Sequence, residues 1–180
     1  MSSVSAHFFE QLNNVKPPIA TSPSLPSISY SSPEVLALEK EAIFKKSWIG
    51  VGRSDQWVNV GDYSSREIIG IPVIITRDEN QQLNAYINSC RHRGARLLEA
   101  GEGRCKTFSC PFHRWTYQLN GNLLQAPEFK KDGPLNKAEY GLLTLPIAEQ
   151  DGFVFIALSN GLPPLTGKYS ANPQPFVSTD

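Results

Sequence analysis

The sequence is poor in sulfur and histidine: its 180 residues include three cysteines, three histidines and one methionine. So few cysteines, and an odd number of them, exclude a secreted disulfide framework. Basic and acidic residues number 17 each, so no global charge favours nucleic acid or a membrane surface. The chain also lacks an apolar run of about 18 residues and a secretory signal pattern. We therefore expect a cytoplasmic protein that binds neither nucleic acid nor membrane.

The N-terminal segment has little that would form a packed element. Residues 1–33 are rich in serine and proline, which predicts an extended arm. One N-terminal helix follows, because Ser32 can cap it, Pro33 suits its first position and apolar residues recur at helical spacing. We expect this helix to end near Lys46.

The middle of the chain has a strand-like pattern. The runs "REIIGIPVIIT" and "LNAYIN" flank the polar stretch "RDENQQ", which predicts a β-hairpin. Further short strands are expected in "CKTFSC", "RWTYQL" and "NLLQA", with Asn120-Gly121 closing a tight hairpin at positive φ. The stretch "LLTLPIAEQDGFVFIAL" supplies two more strands. The predicted fold class is therefore mainly β and antiparallel.

Two pairs of cysteine and histidine stand out against this background. Cys90 and His92 form Cys-x-His, and after 17 intervening residues Cys110 and His113 form Cys-x-x-His. Each pair follows a predicted strand, so two loops can bring two thiolates and two imidazoles together. This ligand set matches a Rieske centre, in which one iron of a [2Fe-2S] cluster takes both cysteines and the other iron takes both histidines.

Two other interpretations of these residues remain open. The four side chains could hold a structural zinc ion, although zinc sites usually keep like ligands together as Cys-x-x-Cys and His-x-x-x-His. They could also be unliganded core cysteines and exposed histidines. His7 and Cys105 stand outside the pattern, and we interpret both as non-ligands, with Cys105 packing as a small apolar residue.

The motifs resemble the N-terminal part of the large (α) subunit of Rieske non-haem iron oxygenases, the ring-hydroxylating dioxygenases. The matching stretches, which cover roughly residues 34 to 165, are "EKEAIFKKSWIGVGRSDQW", "GDYSSREIIGIPVIITRD", "CRHRGARL", "FSCPFHRWTYQLNGNLLQAPEF" and "GFVFIALS". The resemblance implies an antiparallel Rieske-type β-sandwich with a small cluster-binding subdomain. It also implies that residues 34–165 form the [2Fe-2S] domain and that 166–180 form a tail toward a catalytic domain absent from this sequence.

The resemblance also implies the role of each ligand. Cys90 and Cys110 would hold the buried iron, and His92 and His113 the outer iron. High-potential Rieske proteins carry an extra disulfide, but Ala95 and Phe112 occupy the corresponding positions here. The resemblance therefore predicts a low-potential cluster, near the bottom of the Rieske range at about −150 mV.

Tyr117 remains where the resemblance leads us to expect a hydroxyl donor, whereas Trp115 replaces a serine donor of the high-potential proteins. Arg114 follows the second histidine, where relatives often have glycine, and its side chain could alter docking of the electron donor or of an adjoining subunit. Basic residues are also in excess between residues 90 and 115. They could serve an acidic electron donor, or they could be ordinary solvated or paired charges.

The implied function is electron transfer within a dioxygenase-type oxidoreductase. Electrons would pass from a ferredoxin or flavin reductase to a mononuclear Fe(II) that activates O₂ to hydroxylate an aromatic or other small organic substrate, as in aromatic compound catabolism. That iron needs two further histidines, and none follows His113, so it would lie in the absent C-terminal domain. The complete α subunit would form a homotrimer or another homo-oligomer, with His113 as the exit ligand. The alternative is a stand-alone Rieske ferredoxin.

Overall fold

A computed structural model describes residues 6–15, 18, 20–127 and 135–165 of the chain. Two compact units are present, Met1–Ser47 and Trp48–Asp180. The helices are α1 (Ala6–Asn13), α2 (Ile28–Ser31) and α3 (Pro33–Ala42), with single 3₁₀ turns at Phe44–Lys46, Ser54–Gln56 and Lys137–Tyr140. The strands are β1 (Trp48–Arg53), β2 (Asp62–Ile68), β3 (Ile71–Arg77), β4 (Leu83–Ile87), β5 (Gly101–Arg104), β6 (Thr107–Ser109), β7 (Thr116–Gln118), β8 (Leu123–Gln125), β9 (Thr144–Leu145), β10 (Ile147–Gln150) and β11 (Phe153–Ala157).

The N-terminal unit is helical. The helix expected after residues 1–33 is present as α3, but the expectation of an extended arm before it is wrong, because α1 and α2 lie inside residues 1–33. The reason is the apolar segment around Phe8, which is buried and shares a cavity with Val35 and Leu38 of α3. Burial of such side chains favours a helix even where proline and serine dominate the neighbouring sequence.

The start of α3 confirms the predicted cap. The Ser32 hydroxyl accepts a hydrogen bond from the Val35 N–H at 3.3 Å, and Pro33 occupies the first helical position. The α-helix ends at Ala42, and the 3₁₀ turn then continues to Lys46. The predicted boundaries of the domain at 34 and 165 remain predictions, and residues 166–180 lie outside the described part of the chain.

The second unit confirms the predicted antiparallel β class. Its sheets have the strand orders β5-β2-β3-β4-β9, β1-β11-β10 and β6-β7-β8. The hairpin between β3 and β4 forms as expected, with Arg77 opposite Leu83. The exposed strand β5 and the glycine-containing strand β1 were not predicted, since neither has the alternating apolar pattern of a half-buried strand.

The run "REIIGIPVIIT" contains two strands rather than one. Ile68 and Ile71 pair across a two-residue turn in which Ile69 and Gly70 have φ of 54° and 86°. Positive φ at both central residues is typical of a type I′ turn, whose twist matches that of paired strands. An isoleucine rarely takes this conformation, so Gly70 was the one residue in this run that indicated a turn.

The hairpin at Asn120-Gly121 differs in detail from the expectation. Gly121 has φ 84°, whereas Asn120 is not among the residues with positive φ. The Gly121 N–H donates to the Gln118 carbonyl at 3.0 Å, and the Gln118 N–H donates to the Asn122 carbonyl at 2.9 Å. These bonds define a three-residue loop that ends in a left-handed glycine. A Cβ on Gly121 would lie 2.5 Å from the Tyr86 ring, so glycine is also required by packing.

Two apolar clusters form the core of the β unit. One joins the β1–β11 sheet to β3 and includes Trp57, Val73 and Ile156. The other lies beneath the loops that follow β4 and β6 and includes the buried aromatic residues Tyr86, Phe108, Trp115 and Tyr117. Within the described part of the chain, no helix combines the length and apolar composition needed to cross a bilayer.

Candidate metal centre

The two predicted pairs lie in loops that directly follow strands. Loop 1 (Cys90–Ala95) comes after β4, and loop 2 (Cys110–Trp115) joins β6 to β7. The loops bring their cysteines and histidines to one open cavity of about 360 Å³. The four side chains thus lie in loops after strands, as expected, and the fold brings them together at one cavity, while their role as ligands stays a prediction.

The backbone of the two loops follows one hydrogen-bonding pattern. In loop 1 the Cys90 N–H donates to the Ala95 carbonyl at 2.8 Å, and the Gly94 N–H donates to the Cys90 carbonyl at 2.8 Å. In loop 2 the Cys110 N–H donates to the Trp115 carbonyl at 2.8 Å, and the Arg114 N–H donates to the Cys110 carbonyl at 3.1 Å. Each cysteine therefore begins a closed turn that fixes the direction of its side chain.

The four donors form a thiol pair and an imidazole pair. Cys90 and Cys110 are 3% and 1% exposed, whereas both histidines are partly exposed. The rings of His92 and His113 have centroids 4.7 Å apart and planes at 76°. Among the described residues, no three thiol, imidazole or carboxylate groups surround a single point. The two thiols are thus buried at the cavity, whereas the two imidazole side chains are partly exposed.

The environment of the Cys90 thiol opposes its ionisation without a cation. Burial is the main cause that raises the pKa of Cys90, and the adjacent Cys110 thiol raises it further, while the Tyr117 hydroxyl acts in the opposite direction. A metal ion reverses this preference, because a coordinated thiol loses its proton outright. Two neighbouring buried thiols, of which Cys90 has a raised pKa, are thus suited to a shared positive centre.

Tyr117 connects loop 1 to strand β7. Its hydroxyl accepts a hydrogen bond from the Arg91 N–H at 2.9 Å and lies 3.3 Å from the Cys90 sulfur. Burial raises the pKa of Tyr117 well above its usual range. The hydroxyl therefore keeps its proton, and with the Arg91 N–H already donating to the oxygen, that proton can be donated to the sulfur. This contact agrees with the expectation of a hydroxyl donor at this position, and the direction of the hydrogen bond stays a prediction.

Trp115 supports the imidazole of the opposite loop. The Trp115 side chain is fully buried and stacks on His92 with a centroid distance of 5.0 Å and an interplanar angle of 7°. Tyr140 contacts the same indole edge-on at 5.6 Å. Such aromatic contacts restrict ring orientation and exclude water, so the serine-to-tryptophan difference noted in the sequence has a packing role.

Asn88 closes the base of loop 1, a role that was not predicted from the sequence. Its amide oxygen accepts from the N–H groups of Leu97 at 2.9 Å and Leu98 at 3.2 Å, and its amide nitrogen donates to the Leu98 carbonyl at 2.7 Å and the Ser65 hydroxyl at 2.9 Å. All hydrogen-bonding positions of this buried side chain are thus used. The available signal in the sequence was Asn88 itself, a polar residue that directly follows strand β4 and lies two positions before Cys90.

The remaining cysteine and histidine lie outside this centre, as predicted. Cys105 is partly buried against the apolar cluster and does not line the cavity. Burial raises the pKa of its thiol, which agrees with its interpretation as a small apolar residue. His7 lies in α1, where its ring contacts the Gln11 amide at 3.1 Å.

The basic residues near the centre divide into paired and unpaired side chains. Arg104 pairs with Asp62 at 2.6 Å, so it belongs to the β2–β5 edge, and Glu102 of the same strand pairs with Arg66 at 3.2 Å. Four exposed arginines pair with no carboxylate of the described residues. These site arginines are Arg91, Arg93, Arg96 and Arg114.

Comparison with known proteins agrees with this geometry. The sequence matches the family described as "Rieske [2Fe-2S] domain" over residues 47–146. The chain belongs to this Rieske family. The cofactor of such a domain is a Rieske [2Fe-2S] cluster. The inner thiol pair, the outer imidazole pair and the raised pKa of the Cys90 thiol fit that cofactor.

The relatives of this Rieske domain are oxygenase subunits. The chain is 38% identical over 134 residues to the carnitine monooxygenase oxygenase subunit of Acinetobacter baumannii, covering 74% of this chain and 36% of that protein. It is also 38% identical over 132 residues to the anthranilate 1,2-dioxygenase large subunit of Acinetobacter baylyi, covering 72% and 28%. The chain thus spans about a third of the length of these curated relatives.

A solved structure has the same fold. Naphthalene 1,2-dioxygenase from a Rhodococcus species superimposes with a TM-score of 0.78 at 29% identity, covering 88% of this chain and 36% of that one. This similarity confirms the predicted Rieske-type β architecture. The chain is therefore a Rieske domain of the kind found in the large subunits of monooxygenases and dioxygenases.

Proposed function

We propose that the chain is the electron-transfer domain of an oxygenase large subunit. Its four cluster ligands are Cys90 and Cys110 on the inner iron and His92 and His113 on the outer iron. The observation that carries this proposal is the sorting of two buried thiols and two partly exposed imidazoles at one cavity. When bound, a Rieske cluster takes up and releases a single electron.

The residues of the chain have separate tasks in this function. The thiols and imidazoles hold the metals, and Tyr117 donates a hydrogen bond to the Cys90 sulfur. Trp115 orients the His92 ring and keeps water from its inner face. Because hydrogen bonds to sulfur and burial set the potential of an iron-sulfur centre, these side chains are the means by which the chain tunes it.

The relatives support a proposal for the partners and the overall reaction. A ferredoxin or a flavin reductase would deliver the electron, and a mononuclear non-haem iron in a separate domain would receive it for O₂-dependent hydroxylation of a small organic substrate. The relatives include a carnitine monooxygenase and an anthranilate dioxygenase, so the substrate class extends beyond aromatic compounds. The site arginines suit an acidic donor.

Redox titration tests the electron-transfer function. Purified protein loaded with iron and sulfide should bleach on addition of dithionite and recover with ferricyanide, with one electron exchanged per chain. The same titration of His113→Ala should show no reversible change. A chain that binds zinc, stays colourless and exchanges no electron would contradict the proposal.

A stand-alone electron carrier is the second candidate, since the β unit alone contains all four donors. The reading frame beyond Asp180 discriminates between the two functions. An in-frame segment with two histidines and one carboxylate as iron ligands supports the oxygenase subunit. A stop codon at that point supports the carrier.

A further inference from the structure

Arg114 occupies a backbone position that favours glycine. Its φ is 58°, in the left-handed region, and the equivalent position of loop 1 is Gly94 with φ 74°. The other non-glycine residues described with positive φ are Ile69, Gln81 and Asp151, all in hairpin connections outside the two loops. A side chain with a Cβ is disfavoured in this conformation, whereas glycine adopts it freely.

The surrounding backbone imposes this conformation on Arg114. Its N–H donates to the Cys110 carbonyl at 3.1 Å, and its carbonyl accepts from the Thr116 hydroxyl at 3.0 Å. Both bonds involve main-chain atoms of residue 114, so a glycine could make them equally well. The fold of loop 2 therefore does not require the arginine side chain, and its presence has a conformational cost.

The side chain adds an exposed positive charge at the residue next in sequence to the proposed outer ligand, His113. Arg114 directly follows His113, is exposed, and pairs with no carboxylate of the described residues. Arg104 differs in this respect, because Asp62 already neutralises it. An unpaired guanidinium presents five donors in a fixed fork that matches the two oxygens of a carboxylate. Arg114 is thus poised to contact an anionic surface from outside the chain.

We propose that Arg114 is a recognition residue for the acidic docking face of the protein that delivers the electron. This inference rests on the proposed electron-transfer function. The positive charge of Arg114 attracts the partner toward the exposed side of His113. The guanidinium group of Arg114 then pairs with a partner carboxylate there. Charge complementarity of this kind mainly raises association rates and weakens as salt screens it.

Small redox ions measure the charge contributed by Arg114. Protein reduced with dithionite and freed of excess reagent is mixed with anionic ferricyanide or cationic hexaamminecobalt(III). In either reaction the cluster gives up one electron, and the reagent becomes ferrocyanide or cobalt(II). Arg114→Gly should slow oxidation by ferricyanide about threefold at low ionic strength and should not slow oxidation by the cobalt complex. The difference between the proteins should shrink at high salt.

Matched variants separate charge from structure. Arg114→Lys should restore most of the ferricyanide rate, because it keeps the charge. Arg53→Gln removes an equal charge from strand β1 and should change neither rate. Labelled poly-L-glutamate, a probe for a carboxylate-rich partner, should bind Arg114→Gly severalfold more weakly than the original protein. The thermal unfolding midpoint of Arg114→Gly should be equal to or higher than that of the original protein, because glycine relieves the backbone strain at this position.

Two results would overturn the inference while leaving the proposed function intact. The first is unchanged ferricyanide oxidation and poly-L-glutamate binding in Arg114→Gly. The second is a thermal unfolding midpoint of Arg114→Gly that is several degrees lower than that of the original protein, which would show that the Arg114 side chain is retained for structure. Failure of the proposed function has a different signature, because a chain without a redox-active cluster would react with neither ion.

Discussion

Loops 1 and 2 have the same backbone hydrogen bonds but different supports. In each loop the cysteine N–H and carbonyl close a turn of the same length. Loop 1 is held at its base by the Asn88 amide, whereas loop 2 is held by pairing of the flanking strands, with Ser109 opposite Thr116. The shared backbone turns therefore determine where the thiols lie. Residues outside the turns determine how stable the conformation of each loop is.

The histidines differ between the loops by one position. His92 is two residues after its cysteine and His113 is three residues after its own, although the two loops have the same length. Phe112 occupies the position in loop 2 that corresponds to His92 in loop 1, and it is 72% exposed. Support of the imidazoles is also unequal, because Trp115 of loop 2 stacks on His92 of loop 1.

Replacing a cysteine should have the largest effect on cluster content. This effect should be equal for the cysteines of the two loops. Cys90→Ala and Cys110→Ala each remove a proposed inner ligand, so we expect loss of bound iron and acid-labile sulfide in both. Cys105→Ser should retain them, since that thiol does not line the cavity. Iron and sulfide assays measure the outcome. Retention of a full cluster in either alanine variant would show that the ligand assignment is wrong.

Replacing Asn88 should weaken loop 1 selectively. Asn88→Ala leaves the buried N–H groups of Leu97 and Leu98 without their acceptor, which we expect to cost about 2–4 kcal/mol of unfolding free energy. Cluster retention during dialysis should fall as well. Asn84→Ala serves as a control, because its amide bonds to Asp78 in the β3–β4 hairpin. If both variants retained the cluster equally, Asn88 would have no special role in loop 1.

Removing the Tyr117 hydroxyl should change the reduction potential through loop 1. Tyr117→Phe loses the hydrogen bond to the Cys90 sulfur, which stabilises the more negative reduced state. We expect the potential to fall by roughly 40 mV, the equivalent of about 1 kcal/mol for one electron. Tyr86→Phe is the matched control, since its buried hydroxyl bonds to the Leu119 carbonyl. Equal shifts in the two variants, measured by voltammetry, would contradict a specific contact.

Replacing Gly94 should lower the free energy of unfolding slightly, through its backbone conformation. A Cβ there would meet only the Ser89 hydroxyl, at 3.8 Å, so the cost of Gly94→Ala should come from the left-handed backbone alone, about 1 kcal/mol. Gly121→Ala should cost more, because its Cβ would also collide with the Tyr86 ring. Denaturant unfolding gives both values. The reverse order would show that packing around Gly94 is tighter than its open surroundings indicate.

Local sequence signals predicted much of the site and of the β fold. The pairs around Cys90 and Cys110 could be recognised because their spacing carries the ligand chemistry, and Tyr117 because it stands where a donor is expected. The β3–β4 hairpin was predictable from alternating apolar residues around a polar turn.

The remaining features depend on contacts between distant residues. Asn88 acts on Leu97 and Leu98 only after the loop has folded back, and Trp115 meets His92 only when both loops are in place. The helix α1 was missed because the surrounding prolines and serines outweighed a short apolar segment whose burial against α3 is a tertiary effect.

The electron paramagnetic resonance spectrum of the dithionite-reduced protein tests the central claim most directly. We predict a Rieske-type signal in protein that contains two irons and two acid-labile sulfides per chain, and loss of that signal in His113→Ala. A silent spectrum from protein that binds one zinc ion and no iron would contradict the account.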